Sequence, residues 1–145
     1  RLHPSLLLED RGYFPMSLKA HSFVNLQSRK MVEFSAAAFS DETLERTNTV
    51  HAIAGIGNPD RFFSLLRSAG FVIMAHAFPD HHAFSKDDMD FAGGLPVIMT
   101  EKDAVKCGKF ATDRHWYLKV SAQLPADFWQ LLSTKLAVAS SSLRV

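Results

Sequence analysis

The sequence predicts an α/β fold: a small parallel sheet with flanking helices, preceded by an extended arm or hairpin. From residue 49 onward, short apolar, β-leaning runs alternate with helical segments four times. The runs are almost unbroken in apolar residues, as strands are when both faces of a parallel sheet are covered. Residues suited to start a helix follow the runs. Such alternation calls for parallel strands joined by right-handed crossovers.

Residues 1–48 read differently and are expected to form an extended linker or hairpin arm, with the α/β domain in 49–145. In "GYFPMSLKAHSFVNL" apolar and polar residues alternate, so Phe14, Met16, Leu18 and Ala20 share one face of a strand. "AAAFSDETLERTN" reads as a polar connector with a short helical turn.

The first strand of the domain is "TVHAIAGIG". In "NPDRFFSLLRSAG", Asn58 is a good N-cap, Pro59 fits the first helical position and Asp60 favours the first turn. Phe62, Phe63, Leu65, Leu66 and Ala69 form its apolar face, and Gly70 stops it. "FVIMAHAF" is the second strand. "SKDDMDFAGG" is expected to be a short helix, because Ser85 and Asp88 have capping-box spacing. "LPVIMT" is the third strand, and "EKDAVKCGKFA" a helix with Thr100 as N-cap and Asp103 at its third position. "HWYLKVSA" is the fourth strand. A closing helix, "LPADFWQLLSTKLAVASS", gathers Phe128, Leu131, Leu132 and Leu136 on one face.

Composition narrows the function classes. The chain has 145 residues, 47% apolar and 21% charged, with a net charge of +1. That suits one globular domain. No Lys/Arg cluster points to nucleic acid as a partner. No apolar run reaches the ~18 residues of a membrane span, and no secretory signal pattern is present. The single cysteine, Cys107, cannot form an internal disulfide, so a reducing compartment is expected. The chain starts with Arg1 rather than Met, which leads us to expect a piece of a longer protein.

In parallel sheets, ligands gather at the carboxyl ends of the strands. Three segments should lie there: Gly55 to Asn58, Phe78 to His82 and Met99 to Lys102. "AGIGNP" admits two readings, a phosphate cradle at a helix N-terminus or a tight turn with an Asn-Pro cap. Asp60 stands where a dinucleotide fingerprint would have its third glycine. No Gly-x-x-x-x-Gly-Lys-Ser/Thr occurs, so this chain alone carries no P-loop for ATP.

"HAFPDHH" admits three readings. Asp80, His81 and His82 could serve a metal-dependent hydrolase, although three adjacent side chains converge poorly on one ion. One imidazole could do acid–base work, since its ordinary pKa of ~6.5 suits proton transfer near neutrality. Or Pro79 and Asp80 make a turn and the histidines are polar loop residues. His76 reads as a hydrogen-bonded, half-buried strand residue. Lys102 opposes the dipole at its helix start, which suggests a nearby anion or carboxylate, or neutralisation by Glu101 and Asp103. Cys107 reads as a small core residue. A non-catalytic module binding a nucleotide or partner at "AGIGNP" is a further alternative.

Three motifs stand together in order: "HAIAGIGNPDRFFSLLRSAGF", "HAFPDHHAF" and "LPVIMTEKDAVKC". Their order and spacing resemble the tetraacyldisaccharide 4'-kinase family of lipid A biosynthesis in Gram-negative bacteria. The likeness is close over residues 50–107 and thinner to about residue 122. It implies a Rossmann-like, P-loop-kinase-associated C-terminal domain. It also implies transfer of the ATP γ-phosphate to the 4'-hydroxyl of an acylated glucosamine disaccharide. ATP and Mg2+ would be held mainly by a separate N-terminal P-loop domain, which docks on the cytoplasmic face of the inner membrane. The resemblance gives His81 the role of assisting an aspartate base on that domain. Asp80, the second candidate catalytic residue, is read beside it as fixing the loop or the imidazole. Gly57, Asn58 and Lys102 would shape the nucleotide side of the cleft. By this likeness the chain is the linker and C-terminal portion, expected to be inactive alone.

Overall fold

The computed structural model describes residues 13–39 and 48–142. The first twelve residues of the expected arm, the middle of the connector at 40–47 and the last three residues lie outside this set. The strands are β1 (Ser17–Asn25), β2 (Met31–Glu33), β3 (Thr49–Ala54), β4 (Val72–Ala77), β5 (Val97–Thr100) and β6 (His115–Gln123). The α-helices are α1 (Pro59–Ser68), α2 (Glu101–Cys107) and α3 (Ala126–Ser142). The six strands form one sheet in the order β2-β1-β6-β5-β3-β4. β4, β3, β5 and β6 pair in parallel, and β1 pairs antiparallel with β2. The fold is α/β as expected, with the parallel strands extended by a hairpin into a mixed sheet.

The chain divides into two compact units, Ala20–Val120 and Arg1–Lys19 with Ser121–Val145. In the first unit β3 and β5 are buried almost throughout, with Val50, Ile53, Val97, Ile98 and Met99 at 0% exposure. The hairpin shares their core. Phe23 of β1 is fully buried, edge-on to Phe71 at 5.5 Å and Phe39 at 5.1 Å. The alternating face expected for β1 buries less: Met16 and Leu18 are exposed, and the buried stretch is Ser22–Leu26. β4 also departs from expectation. It is an edge strand, and Val72 and Met74 face solvent.

Helix α1 follows its sequence signals closely. The Asn58 side chain accepts from Arg61 N–H, and Phe62, Phe63 and Leu66 are buried. Its end is a Schellman motif: Gly70 N–H donates to Arg67 O and Phe71 N–H to Leu66 O. That closure needs a left-handed residue, and Gly70 has φ +92°.

The helix expected over "SKDDMDFAGG" is absent. Ser85 and Asp88 do exchange capping-box hydrogen bonds, Ser85 N–H to Asp88 Oδ2 at 2.8 Å and Asp88 N–H to Ser85 Oγ at 3.4 Å. They close only a turn. Met89, Asp90 and Phe91 are drawn into tertiary contacts instead, and Gly93 and Gly94 take positive φ. β4 and β5 are therefore joined by a long loop rather than a helical crossover.

In the second unit, Phe14 packs edge-on to Phe128 at 5.3 Å. Of the apolar face expected on α3, Phe128 is half-buried while Leu131, Leu132 and Leu136 are exposed, as are Trp129 and Val138. Among the described residues no helix is long and apolar enough to cross a membrane.

Candidate functional site

The carboxyl ends of β3, β4 and β5 bring together residues far apart in sequence. Asp80, just past β4, is the centre. Its Oδ1 accepts from Lys102 Nζ at 2.8 Å and from the His81 backbone N–H at 3.0 Å. Its Oδ2 lies 3.6 Å from His81 Nε2. A Cβ built on Gly57, at the end of the β3 loop, would lie 3.8 Å from the same Oδ2. The Lys102 ammonium, aided by the His81 ring and N–H, holds the Asp80 carboxyl below the usual carboxylate range.

His81 itself stands in solvent, with 79% of its side chain exposed. Its φ is +62°, the left-handed region that a side chain with a Cβ seldom enters. Asp80, His81, Lys102 and Gly57 are thus neighbours. Asn58 is occupied in capping α1. Lys102 does find a carboxylate, but from the β4 loop rather than from its own helix.

His82 leaves this group. Its Nε2 is 3.1 Å from Asp88 Oδ2, and its ring packs against Phe78 and Phe84 at 4.7 and 4.9 Å. Asp80, His81 and His82 therefore do not converge. Among the described residues no three His, Cys, Asp or Glu side chains are grouped to hold a metal ion. The residues at this rim do not fit a magnesium site, since the Asp80 carboxylate is taken up by Lys102.

A buried layer supports the rim. Asp103 is fully buried, and its Oδ2 accepts from Gly55 N–H at 2.9 Å and from Thr100 Oγ at 2.7 Å. The Asp103 N–H donates back to Thr100 Oγ at 3.2 Å. Its Oδ1 accepts no hydrogen bond and faces Lys106 Nζ at 3.5 Å. Lys106 in turn donates to His82 O at 3.4 Å. This carboxylate ties the end of β3 to the start of α2. Read along the chain, Asp103 was only a favourable helix-start acid. A Cβ on Gly55 would meet the Phe84 ring at 3.1 Å and Asp103 Oδ1 at 3.2 Å, so a larger residue there crowds the tie. Cys107 is buried below, and burial pushes its thiol up to about 12, leaving it inert near neutrality.

Three histidines hold the long loop neutral. His51 Nδ1 and His76 Nε2 are 3.0 Å apart, and Phe91 stacks on both rings at 4.2 Å. His115 Nδ1 accepts from Thr112 N–H at 3.0 Å, so Nε2 carries the proton and donates to Met89 O at 3.3 Å. Burial lowers the pKa of all three. A lowered histidine favours the neutral form, so its stability contribution is complete above the unfolded value of ~6.5 and falls away below it. The urea midpoint should be lower at pH 5.5 than at pH 7.5. Equal midpoints would contradict this.

Comparison with known proteins follows the same lines. The family model "Tetraacyldisaccharide-1-P 4'-kinase" (LpxK) matches residues 6–137. A tetraacyldisaccharide 4'-kinase of Nitrosococcus oceani is 48% identical over 101 residues, covering 69% of this chain and 30% of the relative. One from Alcanivorax borkumensis is 44% identical over 114 residues, covering 79% and 33%. The Xanthomonas campestris relative is 51% identical over 87 residues, covering 60% and 25%. The chain thus spans a quarter to a third of the length of these curated relatives. A crystal structure of LpxK from Aquifex aeolicus in complex with ATP matches with a TM-score of 0.56 at 23% identity. That match covers 81% of this chain and 33% of the other, and carries the fold alone. Because the family model matches most of this chain, residues 6–137, the chain belongs to the tetraacyldisaccharide-1-P 4'-kinase family.

Proposed function

We propose that this chain is the C-terminal portion of a lipid A 4'-kinase. The whole protein would transfer the ATP γ-phosphate to the 4'-hydroxyl of a tetraacylated glucosamine disaccharide at the cytoplasmic face of the inner membrane. Residues 1–48 lead from a P-loop domain into the α/β portion at 49–145. That other domain holds ATP and Mg2+ and meets the membrane. Gly57, Asn58 and Lys102 border the cleft on this side.

One observation carries the reading: in a chain of this family, an exposed imidazole beside a carboxylate stands at the rim where ligands gather. Phosphoryl transfer asks the protein mainly for positioning and charge stabilisation. His81 hydrogen-bonds a carboxylate base on the other domain, orients it, and takes up or relays the proton of the acceptor hydroxyl. The imidazole reaches that carboxylate when the two domains close on their substrates.

The test is phosphoryl transfer from ATP to the tetraacyldisaccharide 1-phosphate, by this chain and by the full-length protein. Only the full-length protein should turn over. Robust transfer by the chain alone, or none by the full-length protein, would overturn the division of labour.

A further inference from the structure

We propose that Lys102 is a positioning residue for His81, acting through the Asp80 carboxylate and not on a phosphate. The inference rests on the phosphoryl-transfer reading above and names a residue that sets its geometry.

Three observations carry it. First, one carboxylate touches both halves of His81: Oδ1 takes the backbone N–H at 3.0 Å and Oδ2 lies 3.6 Å from the ring Nε2. Asp80 thereby fixes where the imidazole starts and draws its ring toward the carboxylate. Second, the His81 backbone sits at φ +62°, a conformation disfavoured for a residue with a Cβ, so something must hold it. The turn closed by His82 N–H on Pro79 O at 3.1 Å holds it, and the Asp80 bond to the His81 N–H adds to that hold. Third, Asp80 is itself 41% exposed, and its bond to the His81 N–H lies within its own loop. Lys102 Nζ supplies an anchor from outside that loop at 2.8 Å, from a helix start 22 residues away.

The lysine gains nothing from its own helix. The first turn of α2 favours acids, and Glu101 and Asp103 already stand there. Its partner lies across the rim. The pair is also too exposed, 47% and 41%, to contribute much to overall stability. A purely structural role is therefore a poor account of it, and the readouts can be separated.

The experiment uses the full-length protein as wild type, Lys102→Ala, Lys102→Arg, His81→Ala and the Lys102→Ala/His81→Ala pair. Turnover, KM for ATP and thermal midpoint are measured for each. Lys102→Ala should lower kcat about tenfold or more, with KM for ATP and midpoint unchanged. Lys102→Arg should restore most of the loss. In the His81→Ala background, removing Lys102 should cost no further turnover, because its effect passes through that imidazole. The same loss in both backgrounds, or a raised KM for ATP, would overturn the inference and give Lys102 a direct contact with nucleotide. An unaltered kcat in His81→Ala would remove His81 from the mechanism and the inference with it, whereas no turnover by the wild type would overturn the phosphoryl-transfer reading itself.

Discussion

Asp103→Ala is expected to lower the unfolding free energy by about 3 kcal/mol or more, because two hydrogen bonds to a charged group are lost, each contributing about 1.5–3 kcal/mol. The side chain is fully buried and serves three partners. Its removal leaves the buried Gly55 N–H without an acceptor, which alone costs about 1–3 kcal/mol. It also frees Thr100 Oγ from its role in the tie and strands Lys106 against the His82 carbonyl. Asp103→Asn keeps an acceptor for Gly55 and should cost less. Urea denaturation of the protein measures both. A loss under 1 kcal/mol for the alanine variant would mean that β3 and α2 are held by other contacts.

The largest effect on activity is expected at His81. In the full-length protein, His81→Ala should lower kcat about a hundredfold or more, the usual scale for a positioned proton-transfer group. KM for ATP should stay near wild type, because the role proposed for His81 is on the proton of the acceptor hydroxyl and not on the nucleotide. The fold should not suffer, since the side chain is 79% exposed. The adjacent histidine behaves oppositely. His82 packs on Phe78 and Phe84 and bonds Asp88, so His82→Ala acts on loop stability first.

The parallel sheet was legible because its punctuation is local. Asn58-Pro59, Gly70 and Thr100 with Asp103 each satisfy helix ends within a few residues, and the structure uses all of them as such. The segment at 85–94 misled for the same reason. Ser85 and Asp88 make the capping bonds of a helix start, yet burial of Met89 and stacking of Phe91 on His51 and His76 outweigh helix continuation. The apolar residues of α3 have helical spacing, but spacing alone does not tell whether a face is covered.

At the rim, residue types and topology indicated which loops meet, while the pairings were hidden. For Lys102 the sequence left two readings open, a nearby anion or carboxylate, or neutralisation by Glu101 and Asp103; the β4 loop delivers the carboxylate, Asp80. Asp103 was indistinguishable from an ordinary helix-start acid, because its reach to Gly55 spans 48 residues. His81 and His82 are the same residue type side by side, and only the left-handed turn at His81 separates one exposed ring from one packed ring.

The most direct measurement is kcat of the full-length His81→Ala protein at saturating ATP and lipid, with and without added imidazole. The account predicts a collapse in turnover that free imidazole partly reverses. Turnover equal to wild type without imidazole would contradict it.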